Sequence, residues 1–285
     1  MNLRKRDFSG FVTFTPGRVF VNSSLGCPAR CSYCYISDYG YGRKPTLAPF
    51  SGDELHEHLY DQRHLWQQSD YNIISFGCFS ESMCKPYIQK TLEFVKAVAS
   101  FGMPIQIATK WGVSEDAVEE FSSAVNCSGQ LNIFASLVTL RHWENIEPGT
   151  RPPEERISTL LRFKEAGQNT YLYIKPVIPG ITEADAPGIR DIMQKNGLDI
   201  CVVGALFSNP QIVRALRSKI ANVDSHSLDL HPQSTKFQVP GSAELRMAYP
   251  VSTSDQVIAT LTTDTLIKTF YNSVDATKYK TIPQS

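Results

Sequence analysis

No stretch of the chain approaches the length of a membrane span, and the opening MNLRKRDFSGFVTF carries charges without an apolar run long enough for a secretory signal. The expected location is the cytoplasm. Excess charge is lacking too: Lys plus Arg and Asp plus Glu each number 28, so the formal net charge is zero. No uniform positive field is available to draw in a polyanion such as DNA, which leaves only a local basic groove for that purpose. Cysteine is sparse, 7 in 285 residues, and an odd count in a reducing compartment speaks against a disulfide framework. No low-complexity tract or composition shift demands a second domain. What is present is an ordinary globular composition, 42% hydrophobic and 20% charged, long enough for one α/β barrel.

From about residue 19 onward, apolar β-rich segments alternate with helical patterns. The candidate strands are Val19 to Leu25, Asn72 to Phe76, Pro104 to Thr109, Asn132 to Val138, Tyr171 to Val177 and Ile200 to Leu206. Between them run helical stretches from Gly52 to Gln68, Pro86 to Phe101, Ser114 to Val125, Pro152 to Ala166, Asp185 to Lys195 and Pro210 to Ile220. This rhythm predicts parallel strands joined by crossover helices, a partial (β/α)6 TIM-like barrel over residues 19–221, preceded by an N-terminal segment 1–18. Helix-start chemistry supports the order, with Ser114 before Glu115 and Asp116, and Pro152 and Pro153 opening a run that ends at Gly167. Residues 222–285 read as a C-terminal extension. Its first part, Asn222 to Pro250, is rich in Ser, Pro, His and Gln and is placed to cover the barrel mouth. A final helix is expected over Ser254 to Val274, with Val257, Ile258, Leu261, Leu266, Ile267 and Phe270 as its apolar stripe.

Three of the seven cysteines, Cys27, Cys31 and Cys34, crowd into LGCPARCSYCY just after the first expected strand, where barrel enzymes place their chemistry. Three thiolates can hold a cubane iron-sulfur cluster while leaving one iron without a protein ligand, and that open iron is free to bind a small molecule. A structural zinc site completed by Cys78, Cys84 or a histidine uses the same donor types. Zinc motifs, however, usually pair two short knuckles, and this chain has no second one. An iron-sulfur electron carrier would ordinarily supply four cysteines.

The CxxxCxxC spacing with Tyr33 before the last cysteine resembles the signature of the radical S-adenosylmethionine superfamily. CSYCY, ISFGCFSESMCKPY, IATKWG, FASLVT, NIEPGTRPPEERISTLLRFKEAG and IKPVIPG, in this order over roughly residues 20–206, resemble more narrowly its spore photoproduct lyase-like branch. The resemblance implies a 4Fe-4S cluster on Cys27, Cys31 and Cys34 and S-adenosyl-L-methionine on the open iron. It implies that the backbone at Tyr33 meets the adenine edge, and that Gly77, Ser80 and Glu81 receive the amino group of the cofactor where the family more often carries Thr-Asp-Pro-Tyr. Lys110 and Ser136 match positions that contact the cofactor's carboxylate and ribose, and the stretches Ile174 to Gly180, with Ile178, and Val202 to Ala205 match those that enclose adenine. From their residue types alone, Lys110 equally fits a solvated loop lysine, Ser136 a backbone-bonded hydroxyl, and Glu147 with Arg156 an ion pair at a helix start. Cys78 corresponds to a hydrogen-donating cysteine of the family, with Tyr35 beside the cluster, while Cys84 is a nearby rival and Cys127 and Cys201 read as structural.

Reductive cleavage of S-adenosylmethionine to a 5'-deoxyadenosyl radical is the implied activity, fed by an electron donor such as flavodoxin or ferredoxin. Three functions fit. Repair of a DNA lesion follows from the branch, and its basic candidates Arg43, Lys44, Lys85 and Lys175 are scattered. Modification of a peptide or small metabolite suits the neutral chain better. A non-catalytic zinc or iron-sulfur module is the reading of a different class.

Overall fold

A computed structural model describes residues 7–85, 87–220, 235–238, 245–248 and 251–281. Its centre is an eight-stranded sheet whose spatial order follows the chain. The strands are β1 Val12–Thr15, β2 Arg18–Val21, β3 Ile73–Phe76, β4 Ile105–Thr109, β5 Leu131–Ser136, β6 Asn169–Val177, β7 Ile200–Ala205 and β8 Lys268–Phe270. β1 pairs antiparallel with β2 at the edge, and every later pairing is parallel. The crossovers are α1 Gly52–Asp61, α2 Ile88–Ala99, α3 Glu115–Ser123, α4 Pro153–Glu165, α5 Thr182–Lys195 and α7 Val251–Thr262, with α6 Pro210–Lys219 between β7 and α7. This is the expected partial TIM-like barrel.

Alternation along each strand sorts the two faces of the sheet. Val19 and Val21, Ile74 and Phe76, Ile105 and Ile107, Leu131 and Ile133, Leu172 and Ile174, and Cys201 and Val203 share one core with the helix residues Leu92, Val95, Phe121, Leu160, Phe163, Ile189 and Leu261. The other face points into the barrel and carries Arg18 and Phe20, Ser75, Gln106, Asn132 and Phe134, Tyr171, Tyr173 and Lys175, and Val202 and Gly204. Ile174 therefore packs under the helices and not toward the interior. The register of β6 on β7 shifts between Ile174 and Val177, where Pro176 brings no N–H to the ladder.

The C-terminal extension departs from expectation. The single helix over Ser254 to Val274 is instead α7, then β8 as a seventh parallel strand beside β7, then α8 Ser273–Thr281. Its end is written in a threonine run. Thr262, Thr263 and Thr265 each donate to the carbonyl four residues earlier, at 2.9, 2.7 and 2.7 Å, and Asp264 takes a left-handed φ of 54°. Leu266, counted in the apolar stripe, is 90% exposed.

α8 lies under the inner face at the amino ends of the strands. The amide nitrogen of Gln106 donates to the Ser273 carbonyl at 2.9 Å and to the Thr277 hydroxyl at 2.7 Å. Ala276 and Tyr279 pack with Phe134, Tyr171, Ile200 and Val202. Of the expected mouth covering, strands Thr235–Gln238 and Leu245–Ala248 pair with each other and the latter with Phe207–Ser208. The rest of that segment falls outside the described residues.

Candidate active site

The cysteine loop leaves the sheet at Gly26, whose φ of 101° is open to glycine at little cost. Gly26 N–H donates to the Phe79 carbonyl at 3.0 Å and Cys27 N–H to the Gly42 carbonyl at 3.1 Å. A Cβ on Gly26 would come within 2.6 Å of that Gly42 oxygen. On the far side, Ser32 N–H donates to the Ile146 carbonyl at 2.8 Å and Gly149 N–H to the Ala29 carbonyl at 2.9 Å. The loop is thus clamped between the segments that follow β3 and β5. Clamped so, half-buried Cys27, Cys31 and Cys34 line one cavity of about 740 Å³, and no other described cysteine borders it.

Burial pushes the Cys27 thiol up to about 12, with the Glu81 carboxylate adding to the effect, and pushes Cys31 up as well, with Glu147 the second cause. Such thiols give up their protons only in exchange for a cation, so metal binding here releases protons. The donor set fits a 4Fe-4S cluster, with three thiols on one cavity larger than a single ion needs, and a buried Ser80 hydroxyl oxygen lacks a hydrogen-bond partner among the described residues; Tyr33, Ser80, Glu81, Lys110, Ser136 and Ile178 do not themselves line that cavity. Among the described residues no three His, Cys, Asp or Glu side chains stand close enough to share one metal ion, the three loop cysteines included.

Behind Cys31 lies a buried ionic network. The Glu147 carboxylate, fully buried, accepts from the Tyr33 hydroxyl and, at 2.6 Å, from fully buried Arg156, while the Lys110 ammonium stands 3.4 Å away. Lys110 also donates to the Ser136 hydroxyl. The remaining Arg156 N–H groups reach the carbonyls of Arg151 and Ser136 at 2.7 and 2.9 Å and the Thr150 hydroxyl at 2.5 Å. Burial alone would push the Glu147 carboxyl up, but Lys110 and Arg156 outweigh it and hold the group below its ordinary value. Five expected or considered positions, Tyr33, Lys110, Ser136, Glu147 and Arg156, are therefore brought together in one cluster. Ile178 belongs to the apolar cluster on the other side, with Tyr33, Ile146 and Leu206, against which Cys31 and Tyr35 pack.

Glu81 is held by hydrogen bonds within the fold. Its carboxylate accepts from the Thr109 hydroxyl at 2.5 Å, Lys110 N–H at 2.8 Å and Met83 N–H at 3.2 Å, and burial pushes it up. Gly77, at φ 83°, makes the turn that carries Ser80 back beside Gly26 in an isolated parallel bridge. The two rival cysteines face different neighbours. Cys84 is buried, and after burial the charges acting on it are Glu81 and Cys27. Cys78 is half-buried and pushed up to about 11 by burial, with Arg18 pulling the other way, and its own field reaches Tyr35, Tyr39, Tyr41 and Tyr173. Tyr35 feels both Cys78 and Cys34. Arg43, Lys44 and Lys85 lie on the surface, whereas Lys175 points inward.

Arg18 and Tyr173, at the heart of the interior, escape motif matching. One signal was legible. In a parallel strand covered on both faces, RVFV places an arginine where an apolar side chain is the norm.

No family model matches the chain, and no curated protein matches it. Solved structures do match. Spore photoproduct lyase complexed with dinucleoside spore photoproduct superposes with a TM-score of 0.62 at 14% identity, over 91% of this chain and 75% of that one. A mutant of that lyase with bound AdoMet and the same lesion gives 0.62 at 13%, over 85% and 72%. Streptococcus suis SuiB bound to S-adenosylmethionine gives 0.56 at 14%, over 91% of this chain and 52% of SuiB. Likeness at these identities speaks to architecture, and the architecture is that of the radical S-adenosylmethionine fold in its spore photoproduct lyase-like form.

Proposed function

We propose that the chain is a radical S-adenosylmethionine enzyme that abstracts hydrogen from an organic substrate held inside the barrel. The carrying observation is the single cavity lined by Cys27, Cys31 and Cys34 with no fourth cysteine. A 4Fe-4S cluster with an open iron, once loaded, supplies the electron that splits S-adenosylmethionine into methionine and a 5'-deoxyadenosyl radical.

The chain's own residues orient and enclose. Lys110, held by Ser136 and Glu147, presents an ammonium to the cofactor's carboxylate, while the unpartnered Ser80 hydroxyl accepts from its amino group. Tyr33 and Ile178 form an apolar wall for adenine. Half-buried thiols keep the cluster within reach of a donor such as flavodoxin or ferredoxin docking over Arg30 and Arg43. Cys78, protonated in its interior setting, can give a hydrogen atom to a carbon-centred product radical, and Tyr35 is in electrostatic reach of both Cys78 and Cys34. One structural neighbour holds a dinucleoside lesion and another holds S-adenosylmethionine; a DNA lesion follows the first of these, while a peptide or small metabolite suits the neutral charge of this chain better.

The test is anaerobic reconstitution with iron and sulfide, then dithionite and S-adenosylmethionine, with 5'-deoxyadenosine measured in wild type and Cys31→Ala. Product from the wild type alone is expected. Equal product from both proteins overturns the assignment.

A further inference from the structure

The inner face of the sheet holds positive charge that cofactor binding does not use. Arg18 begins β2 and, by alternation with Val19 and Val21, points inward, with its guanidinium 4.4 Å from the Phe20 ring centroid. Its Nε donates to the Ser75 hydroxyl at 2.8 Å, and one terminal nitrogen donates to the Gln106 side-chain oxygen at 2.9 Å and the Ser273 hydroxyl at 3.3 Å. Gln106 is itself oriented by α8, which takes both of its amide protons. The fork is thereby fixed in plane by neutral acceptors, and its other terminal nitrogen has no partner among the described residues.

Lys175 enters from β6 across the interior. Its aliphatic stem lies over Gly204, where an added Cβ would come within 2.6 Å of Cδ, and its ammonium reaches 5.8 Å from the Phe207 ring centroid. No hydrogen bond or ion pair to that ammonium is found among the described residues. Burial, and then Arg18, pulls Lys175 down; burial pulls Arg18 down too. No ion pair to either cation is found among the described residues, and the buried carboxylates Glu81 and Glu147 are committed to their own partners. Both cations are half-buried, hence open to whatever enters the barrel. Two like charges sharing a partly desolvated space, with no counter-charge, are costly unless an anion joins them.

Resting on the radical reading above, we propose that Arg18 and Lys175 together bind an oxyanion of the substrate, a carboxylate or a phosphate ester on a compact molecule, and so hold its reacting carbon near Cys78. A guanidinium with one free terminal nitrogen can turn the two N–H groups of that nitrogen to an oxyanion while its other nitrogens stay anchored, and the lysine adds a point charge from the opposite wall. An intact duplex is too wide to enter the barrel interior, so its backbone phosphates are not the source unless the unit that carries them is extruded from the helix. Anchoring of this kind fixes geometry without touching the reacting bond.

Equilibrium dialysis of radiolabelled inorganic phosphate and of acetate against the reconstituted full chain with S-adenosylmethionine, at fixed ionic strength in chloride, tests the site. Saturable binding of at least one anion is expected, weakened about tenfold or more by Arg18→Gln combined with Lys175→Gln, and the tighter anion names the source chemistry. Should the double variant melt early, Lys175→Gln alone is expected to weaken the same anion by at least about threefold. Absence of saturable binding, or equal affinity in wild type and variants, overturns the proposal. Wild-type 5'-deoxyadenosine formation, measured on the same preparation, addresses the radical reading separately. Anion binding without that product leaves this site standing and removes the radical chemistry.

Discussion

Two groups of charged side chains lie within this barrel, and they solve the problem of burial in opposite ways. Around Glu147, one carboxylate meets Arg156 and Lys110, with Tyr33, Ser136 and Thr150 taking up the remaining donors and acceptors. Around Arg18 and Lys175, two cations share a space with neutral acceptors on one side only. The first group is closed on itself and acts as a brace between β4, β5 and the cysteine loop. The second is open, which is the condition of a binding surface awaiting its ligand. A charge satisfied within the chain builds the site; a charge left unsatisfied reports on what the site is for.

The contrast is broken most severely at the closed group. Glu147→Gln leaves Arg156 buried without its counter-ion and should cost about 3–5 kcal/mol in urea unfolding. A loss below about 1 kcal/mol would mean that the network is no brace. The same carboxylate gives a pH signature. Its folded value lies below the ordinary 4.5, so beneath that pH the unfolded chain takes up a proton that the folded chain refuses. Stability should therefore fall as pH drops from about 4.5 through the lowered folded value, and Glu147→Gln should flatten that limb.

Gly149→Ala probes the same brace through sterics. Its Cβ would collide with the Pro28 carbonyl and come within 2.8 Å of the Ala29 oxygen, prying the Glu147 loop from the cysteine loop. The expected loss is about 1–3 kcal/mol, with lower iron retention after reconstitution; unchanged iron content would show that the clamp is dispensable. The smallest effect belongs to the open group. Lys175→Met in the ligand-free protein should stay within about 0.5 kcal/mol of wild type or rise above it, because only a distant contact with the Phe207 ring is lost, no described hydrogen bond or ion pair goes with it, and one of two repelling charges is removed. A loss of 2 kcal/mol or more, set against that range, would place Lys175 among the structural charges.

Much of the fold was legible from residues alone. Six of the seven parallel strands were found, because apolar runs such as NIISF and LNIFAS alternate with capped helices. The cysteine loop was legible from spacing. The last strand was not, since Lys268–Phe270 is three residues long and its flanks continue a helical stripe that only the threonine back-bonding interrupts. Glu147 and Arg156 could be suspected of pairing, yet their union with Tyr33, more than a hundred positions upstream, is purely tertiary. Arg18 was hidden by the opposite cause. Its signal is a single misplaced charge in a short strand, which gains meaning only when Lys175 is seen across the same space.

Because α8 sets Ser273 and Thr277 against Gln106, and Ala276 against the aromatic layer above, the amino end of the barrel is floored by the chain itself. On the proposed reading, a substrate approaching Cys78 would come from the opposite rim, where the cysteine loop stands.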